Sequence, residues 1–170
     1  MKRTIGFLLT MSLAGLAAAA DDDRDQAKRI ADWQRQAVYG AKHGPQVVAW
    51  AQYNLGVSYL NGEGVPRDEA EAIWWIRNSA QRSYAPAQYL LATLYQEGRG
   101  VEQSYDEAVF WFRTAASREH GGAQYRLSQM YADGIGVRKN LQRAAFWRRR
   151  FVEAGYRPAD LGIADVAAGR

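Results

Sequence analysis

The chain has 170 residues, 22 of them Lys or Arg and 18 Asp or Glu, for a net charge of +4, and it contains no cysteine. Six Trp, ten Tyr and five Phe argue against wholesale disorder, because disordered chains are poor in aromatic residues. The missing thiol excludes disulfide staples, thiol catalysis, iron–sulfur clusters and cysteine zinc sites, and two histidines, His43 and His120, make a poor basis for a metal centre.

Met1, Lys2 and Arg3 form a short basic start, Ile5 to Leu16 is mostly apolar and uncharged, and Ala17–Ala20 precedes three aspartates. This order predicts a secretory signal peptide over residues 1–20, cut after Ala20. As a retained anchor the apolar stretch sits at the lower limit for spanning a bilayer core of about 30 Å. No cysteine follows it, so a lipid anchor is not expected. The mature chain is therefore expected to be exported, periplasmic or secreted, without an integral membrane segment, and stable without disulfides. Losing Lys2 and Arg3 would lower its net charge to +2.

Residues 21–50 read as an N-terminal capping helix and linker. Asp25 to Lys42 carries Ile30, Trp33, Ala37 and Val38 along one side, and Pro45 suits the first turn of the next helix. From residue 51 the chain repeats every 36 residues without a gap. Ala51-Gln52-Tyr53 returns as Ala87-Gln88-Tyr89 and Ala123-Gln124-Tyr125. Leu55, Leu91 and Leu127 follow in register, then Tyr59, Tyr95 and Tyr131, three Gly-x-Gly-Val turns, Ala72, Ala108 and Ala144, and finally Trp75, Trp111 and Trp147. The units are residues 51–86, 87–122 and 123–158, with 159–170 as a truncated closing helix bearing Ile163 and Ala164.

Each unit is expected to form two antiparallel helices. Leu55, Gly56, Tyr59 and Leu60 make one helical stripe, and Gly56, Ala92 and Ser128 keep one position small for close approach. Glycines at 62, 98 and 134 end the first helix. The second helix begins at Asp68, Ser104 or Asn140, all N-cap residues. Glu71 and Glu107 are placed to complete a capping box, which Arg143 breaks in the third unit. One unit cannot cover its own apolar faces, so the three are expected to stack around a continuous core.

The pattern A-Q-Y-x-L-x-x-x-Y-x-x-G-x-G-V with a later A-x-x-W resembles the Sel-1-like repeat family, relatives of tetratricopeptide repeats, over residues 51–158. The resemblance implies an all-α, right-handed α/α superhelical solenoid of stacked helix-turn-helix repeats, with members that act as adaptors in protein complexes. It carries over no catalytic residue; a branch linked to β-lactamase activity is cysteine-rich, and this chain has none. Departures lie at Ser83 and Glu119, where the family has glycine, and at Arg148 and Phe151, which suggest a distorted or partner-facing last helix.

No nucleophile, phosphate-loop or zinc-protease motif occurs, so no cofactor, metal or enzymatic activity is expected. A hydrolase acting on envelope material is the alternative from another class. A glycan-binding module is another, resting on aromatic residues outside the repeat pattern such as Trp33 and Trp50. Both histidines read as helix-end residues, where a cation suits the dipole. The expected function is binding of a protein or peptide along a concave groove of first-helix residues: Trp50, Tyr53, Val57, Asn61, Tyr89, Thr93, Glu97, Tyr125, Gln129 and Asp133. The tyrosines there could equally serve only to pack one unit on the next. Charge is uneven, −1, −2 and +6 along the three units. Arg138, Lys139, Arg143, Arg148, Arg149 and Arg150 form either a docking patch for an acidic partner or a solvated helix face. Nucleic acid is not expected for an exported chain, and a monomer is.

Overall fold

Each repeat unit folds into a helix hairpin. The computed structural model describes residues 13–40 and 44–157. In it α1 (Leu13–Tyr39) precedes three hairpins: α2 (Pro45–Asn61) with α3 (Glu69–Gln81), α4 (Ala85–Glu97) with α5 (Tyr105–Ala116), and α6 (Gly121–Asp133) with α7 (Leu141–Glu153). Every helix packs chiefly on its neighbours in the chain, which gives an all-α solenoid with no strand among the described residues. The start of the expected signal peptide, His43 and the closing segment 159–170 lie outside the described residues.

Burial follows the repeat. Leu55, Leu91 and Leu127 are fully buried, and Ile76 and Phe112 lie beneath the first helix of the following unit. A Cβ on Gly56 would collide with Ile76 Cγ1, whereas Ala92 and Ser128 are accommodated at the equivalent place. On α1, Ile30 and Ala37 are buried and Trp33 half-buried against α2, but Val38 is 59% exposed. The expected stripe on this helix therefore ends one residue early. Pro45 opens α2 after Gly44, which adopts φ 92°.

The paired glycines have separate duties. Gly62, Gly98 and Gly134 end the first helices in the left-handed conformation, at φ 75°, 66° and 81°. The second glycine of each pair lies against the second helix of the preceding unit, or against α1 in the first. Gly100 abuts Glu69 and Ile73, and a Cβ at Gly136 would lie 2.7 Å from that of Tyr105.

The N-caps form as expected. Asp68 accepts from the amides of Ala70 and Glu71, Ser104 from Glu107, and Asn140 from Arg143. The capping box does not. The cap residues' own amides donate to the carbonyls of Tyr59, Tyr95 and Tyr131 at 2.8–3.0 Å. That donor is already satisfied by the first helix, so position 71 is free to be Glu or Arg. The buried glutamine of A-Q-Y has an equally specific task. Gln88 donates to the Ala80 carbonyl at 3.0 Å and Gln124 to the Ala116 carbonyl, tying α4 and α6 to the last turn of the previous unit's second helix.

Departures from the family pattern are absorbed locally. Ser83 and Glu119 take φ 67° and 64°, the left-handed region that Gly155 occupies in the third unit. The last helix is regular, not distorted. Phe151 is buried between the rings of Tyr125 and Tyr156, at 5.3 and 5.7 Å, so it turns inward instead of facing a partner.

Truncating the central spine with Leu91→Ala should cost about 2–5 kcal/mol in urea unfolding, because the site is closed on all sides. A loss below about 0.5 kcal/mol would place Leu91 outside the core. Conversely, Glu119→Gly should raise stability by about 0.5–1 kcal/mol by relieving left-handed strain. The ion pair it removes, Glu119 with Arg150 at 3.8 Å, is exposed and worth little.

Candidate functional site

Three tyrosines begin the expected groove, and all three are anchored by rings. Tyr53 meets Tyr84 edge-on at 5.4 Å. Tyr89 stacks on His120 at 4.6 Å and tilts against Phe112, while Tyr125 rests on Phe151. Tyr84, His120 and Tyr156 occupy one repeat position, just before a first helix or its equivalent place. Burial pushes the phenols of Tyr53 and Tyr84 up, and for Tyr53 the neighbouring Tyr84 adds to the shift. The tyrosines thus frame the row, each held by rings of its own unit.

Beyond this frame the row differs in each unit. Trp50 is 42% exposed and meets Trp33 edge-on at 6.0 Å. Val57 and Asn61, Thr93 and Glu97, and Gln129 and Asp133 follow along α2, α4 and α6, partly exposed at the first position of each pair and exposed at the second. Leu60, beside this row, is buried instead. In the third unit Tyr125, Gln129, Asp133 and Arg148 line one cleft between α6 and α7. The equivalents of its floor in the second unit, Val109 and Phe112, are covered by α6.

The six residues of the basic patch divide among three places. Arg138, Lys139 and Arg143 line a cleft with Arg113 and Tyr131. Arg148 joins the groove residues just named. Arg150 lines a third depression with Glu119 and Glu153, and it pairs with Glu119, while Arg149 pairs with Glu153 at 3.7 Å. A single docking patch is therefore too coarse a description.

One surface feature escapes the sequence. Trp74, Phe110 and Phe146 share a repeat position on α3, α5 and α7 and are 55%, 56% and 42% exposed. Each stands edge-on to the next Trp, at 4.4, 5.1 and 5.1 Å. Their phase, one residue ahead of the buried stripe, is the signal in the sequence that could have found them. Among the described residues no group of three or more His, Asp or Glu could hold a metal ion.

His120 caps α6, but not as a cation. Its Nδ1 accepts from the Ala123 amide at 3.2 Å, which requires an unprotonated nitrogen, and it stands at the positive end of the helix. Burial holds its pKa below the ordinary 6.5.

Helix hairpins stacked end to end, with fixed aromatic frames and unit-specific side chains, define a helical repeat scaffold. The Sel1 repeat profile matches residues 51–84, 85–120 and 122–156. Among solved structures the chain is similar to a Sel1 repeat protein from Oxalobacter formigenes, at 32% identity over 79% of this chain and 96% of that one, with a TM-score of 0.68. It is also similar to c5321, a protective antigen of uropathogenic Escherichia coli strains with an SLR fold, at 28% identity and a TM-score of 0.64. That match covers 86% of this chain and 34% of c5321. Cysteine-rich protein B of Helicobacter pylori shares the fold, at 14% identity and a TM-score of 0.58 over 78% of this chain and 95% of that one. No curated protein sequence matches. The chain belongs to the Sel1 repeat family. Sel1 repeats mediate protein–protein interaction, and proteins built from them are generally non-catalytic scaffolds.

Because the folded state favours neutral His120, its contribution is full above pH 6.5 and declines as pH falls through the folded pKa. The urea midpoint should therefore drop as the pH falls below 6.5, and His120→Asn, which keeps a cap acceptor, should flatten that slope. An identical slope in the variant would show that the histidine stays protonatable in the fold.

Proposed function

We propose that this chain is an exported, non-catalytic adaptor that grips a protein or peptide partner along the first-helix row. The observation that carries this reading is the alternation of anchored tyrosines with side chains that change from unit to unit. A rigid frame lowers the ordering cost of binding, and the variable positions Val57, Asn61, Thr93, Glu97, Gln129 and Asp133 supply selectivity. Trp50 adds an exposed aromatic ring at the row's start, the residue type that most often anchors an interface. Arg148, without an ion pair among the described residues, adds a cation beside Gln129 and Asp133.

Export rests on the basic, apolar and small-residue order of residues 1–20. Among the described residues α1 packs through Ile30, Trp33 and Ala37, which follow Ala20, so cleavage there keeps these three over α2. No described helix is long and apolar enough to cross a membrane. The adaptor acts as a monomer in this reading, since the row is complete within one chain.

In-cell cross-linking of the tagged chain followed by mass spectrometry tests the proposal. Thr93→Arg with Gln129→Arg should lower recovery of the cross-linked partner roughly tenfold while far-UV circular dichroism stays unchanged. Undiminished recovery would remove the row from the binding surface, and turnover of envelope material by the purified chain would favour the hydrolase reading.

A further inference from the structure

The second and third units carry the same cleft with opposite charge. In the second, Arg77 on α3 donates to the Tyr95 hydroxyl at 2.8 Å, and Glu102 and Glu107 line the space beside them. In the third, 36 residues on, Arg113 on α5 donates to the Tyr131 hydroxyl at 2.6 Å, and Arg138 and Arg143 replace both carboxylates. The frames correspond residue for residue and the volumes agree, at about 540 and 550 Å³. Only the polar rim has changed. The second unit holds one guanidinium and two carboxylates; the third holds Arg113, Arg138, Lys139 and Arg143 with no carboxylate.

These four cations are organised. Arg143 also donates to the Tyr131 hydroxyl, at 3.2 Å, and the guanidinium carbons of Arg113 and Arg143 lie 5.6 and 5.5 Å from that ring's centre. Contact with the buried aromatic ring accounts for holding these two in place. It does not account for Arg138 and Lys139, which are exposed on the turn and line the same cleft. None of the four is paired with a carboxylate among the described residues, whereas Arg149 and Arg150 nearby each have one. Like charges converging without a counter-charge repel, and a bound anion converts that repulsion into attraction. The Tyr131 hydroxyl accepts from both guanidiniums, which leaves its own proton to donate to an incoming oxygen.

The cleft is far roomier than one carboxylate or one phosphate requires, and guanidinium forks match carboxylates in paired hydrogen bonds. We infer that the third-unit cleft receives an acidic segment of a protein partner, with two or more neighbouring Asp or Glu side chains. The inference rests on the adaptor reading but occupies a different surface from the first-helix row, with Arg113 and Tyr131 as its base and Arg138, Lys139 and Arg143 as its rim.

Fluorescence anisotropy of a fluorescein-labelled hexaglutamate peptide with the full chain tests it. At low ionic strength the peptide should bind one to one and weaken as salt is added. Arg138→Glu with Lys139→Glu should lower its affinity roughly tenfold without loss of helicity, because neither side chain makes a hydrogen bond that the fold uses. Arg148→Glu should leave it unchanged. Glu102→Arg with Glu107→Arg should create a second binding equivalent in the second-unit cleft. Unaltered affinity in the Arg138/Lys139 variant, or loss that follows Arg148→Glu instead, would overturn the cleft while leaving the adaptor reading intact. Binding of inorganic phosphate in preference to the peptide would also overturn it, in favour of a phosphate site.

Discussion

The second helices α3 and α5 hide their apolar face beneath the first helix that follows. Ile76 and Phe112 show the constraint directly: both are fully buried, because α4 and α6 close over them. Their equivalent in α7 is Arg148, which is exposed, and here the sequence has exchanged an apolar side chain for a charged one. Phe151 fills the remaining space from within α7 and, with Tyr156, closes the core against Tyr125. The apolar spine thus sets where units must stack and where a charged surface can begin.

The same constraint explains why the repeat letters are so strict in some places and loose in others. In the second and third units the buried glutamine of A-Q-Y donates its amide to a carbonyl at the end of the preceding second helix, a contact that neither a shorter nor an apolar side chain could make. The residue three places after each N-cap is loose because the cap amide is spoken for by a tyrosine carbonyl. Ser83 and Glu119 hold a backbone conformation that glycine adopts more easily, which the surrounding hydrogen bonds of the helix end enforce. Membership of the Sel1 repeat family accounts for the frame; the side chains that vary within it carry what is particular to this chain.

Much of the fold was legible because it is periodic. The spacing of Leu, Tyr, Gly and Trp located the hairpins, and Asp68, Ser104 and Asn140 marked three helix starts by chemistry rather than identity. What resisted reading were contacts between units. The Arg113–Tyr131 bond spans 18 residues and joins two helices whose relative rotation no local pattern specifies. A run of six basic residues therefore looked like one patch, when helix geometry distributes it among three places. His120 misled for a related reason: its position at a helix end was evident, but not that it faced the positive end as an acceptor. The row from Trp50 to Asp133 could be placed on one helix face from sequence, while the packed role of its tyrosines emerged only from their ring partners.

The Arg–Tyr bond that spans each cleft has a consequence for how such a chain changes over time. Copying a unit copies the cleft's base along with the spine, so a new receptor position arrives already built. Its polarity is then decided by a few turn and helix-entry residues that the interior does not depend on. Two adjacent copies here carry opposite signs on one chassis, so a solenoid of this kind can diversify what it recognises faster than it alters its own stability.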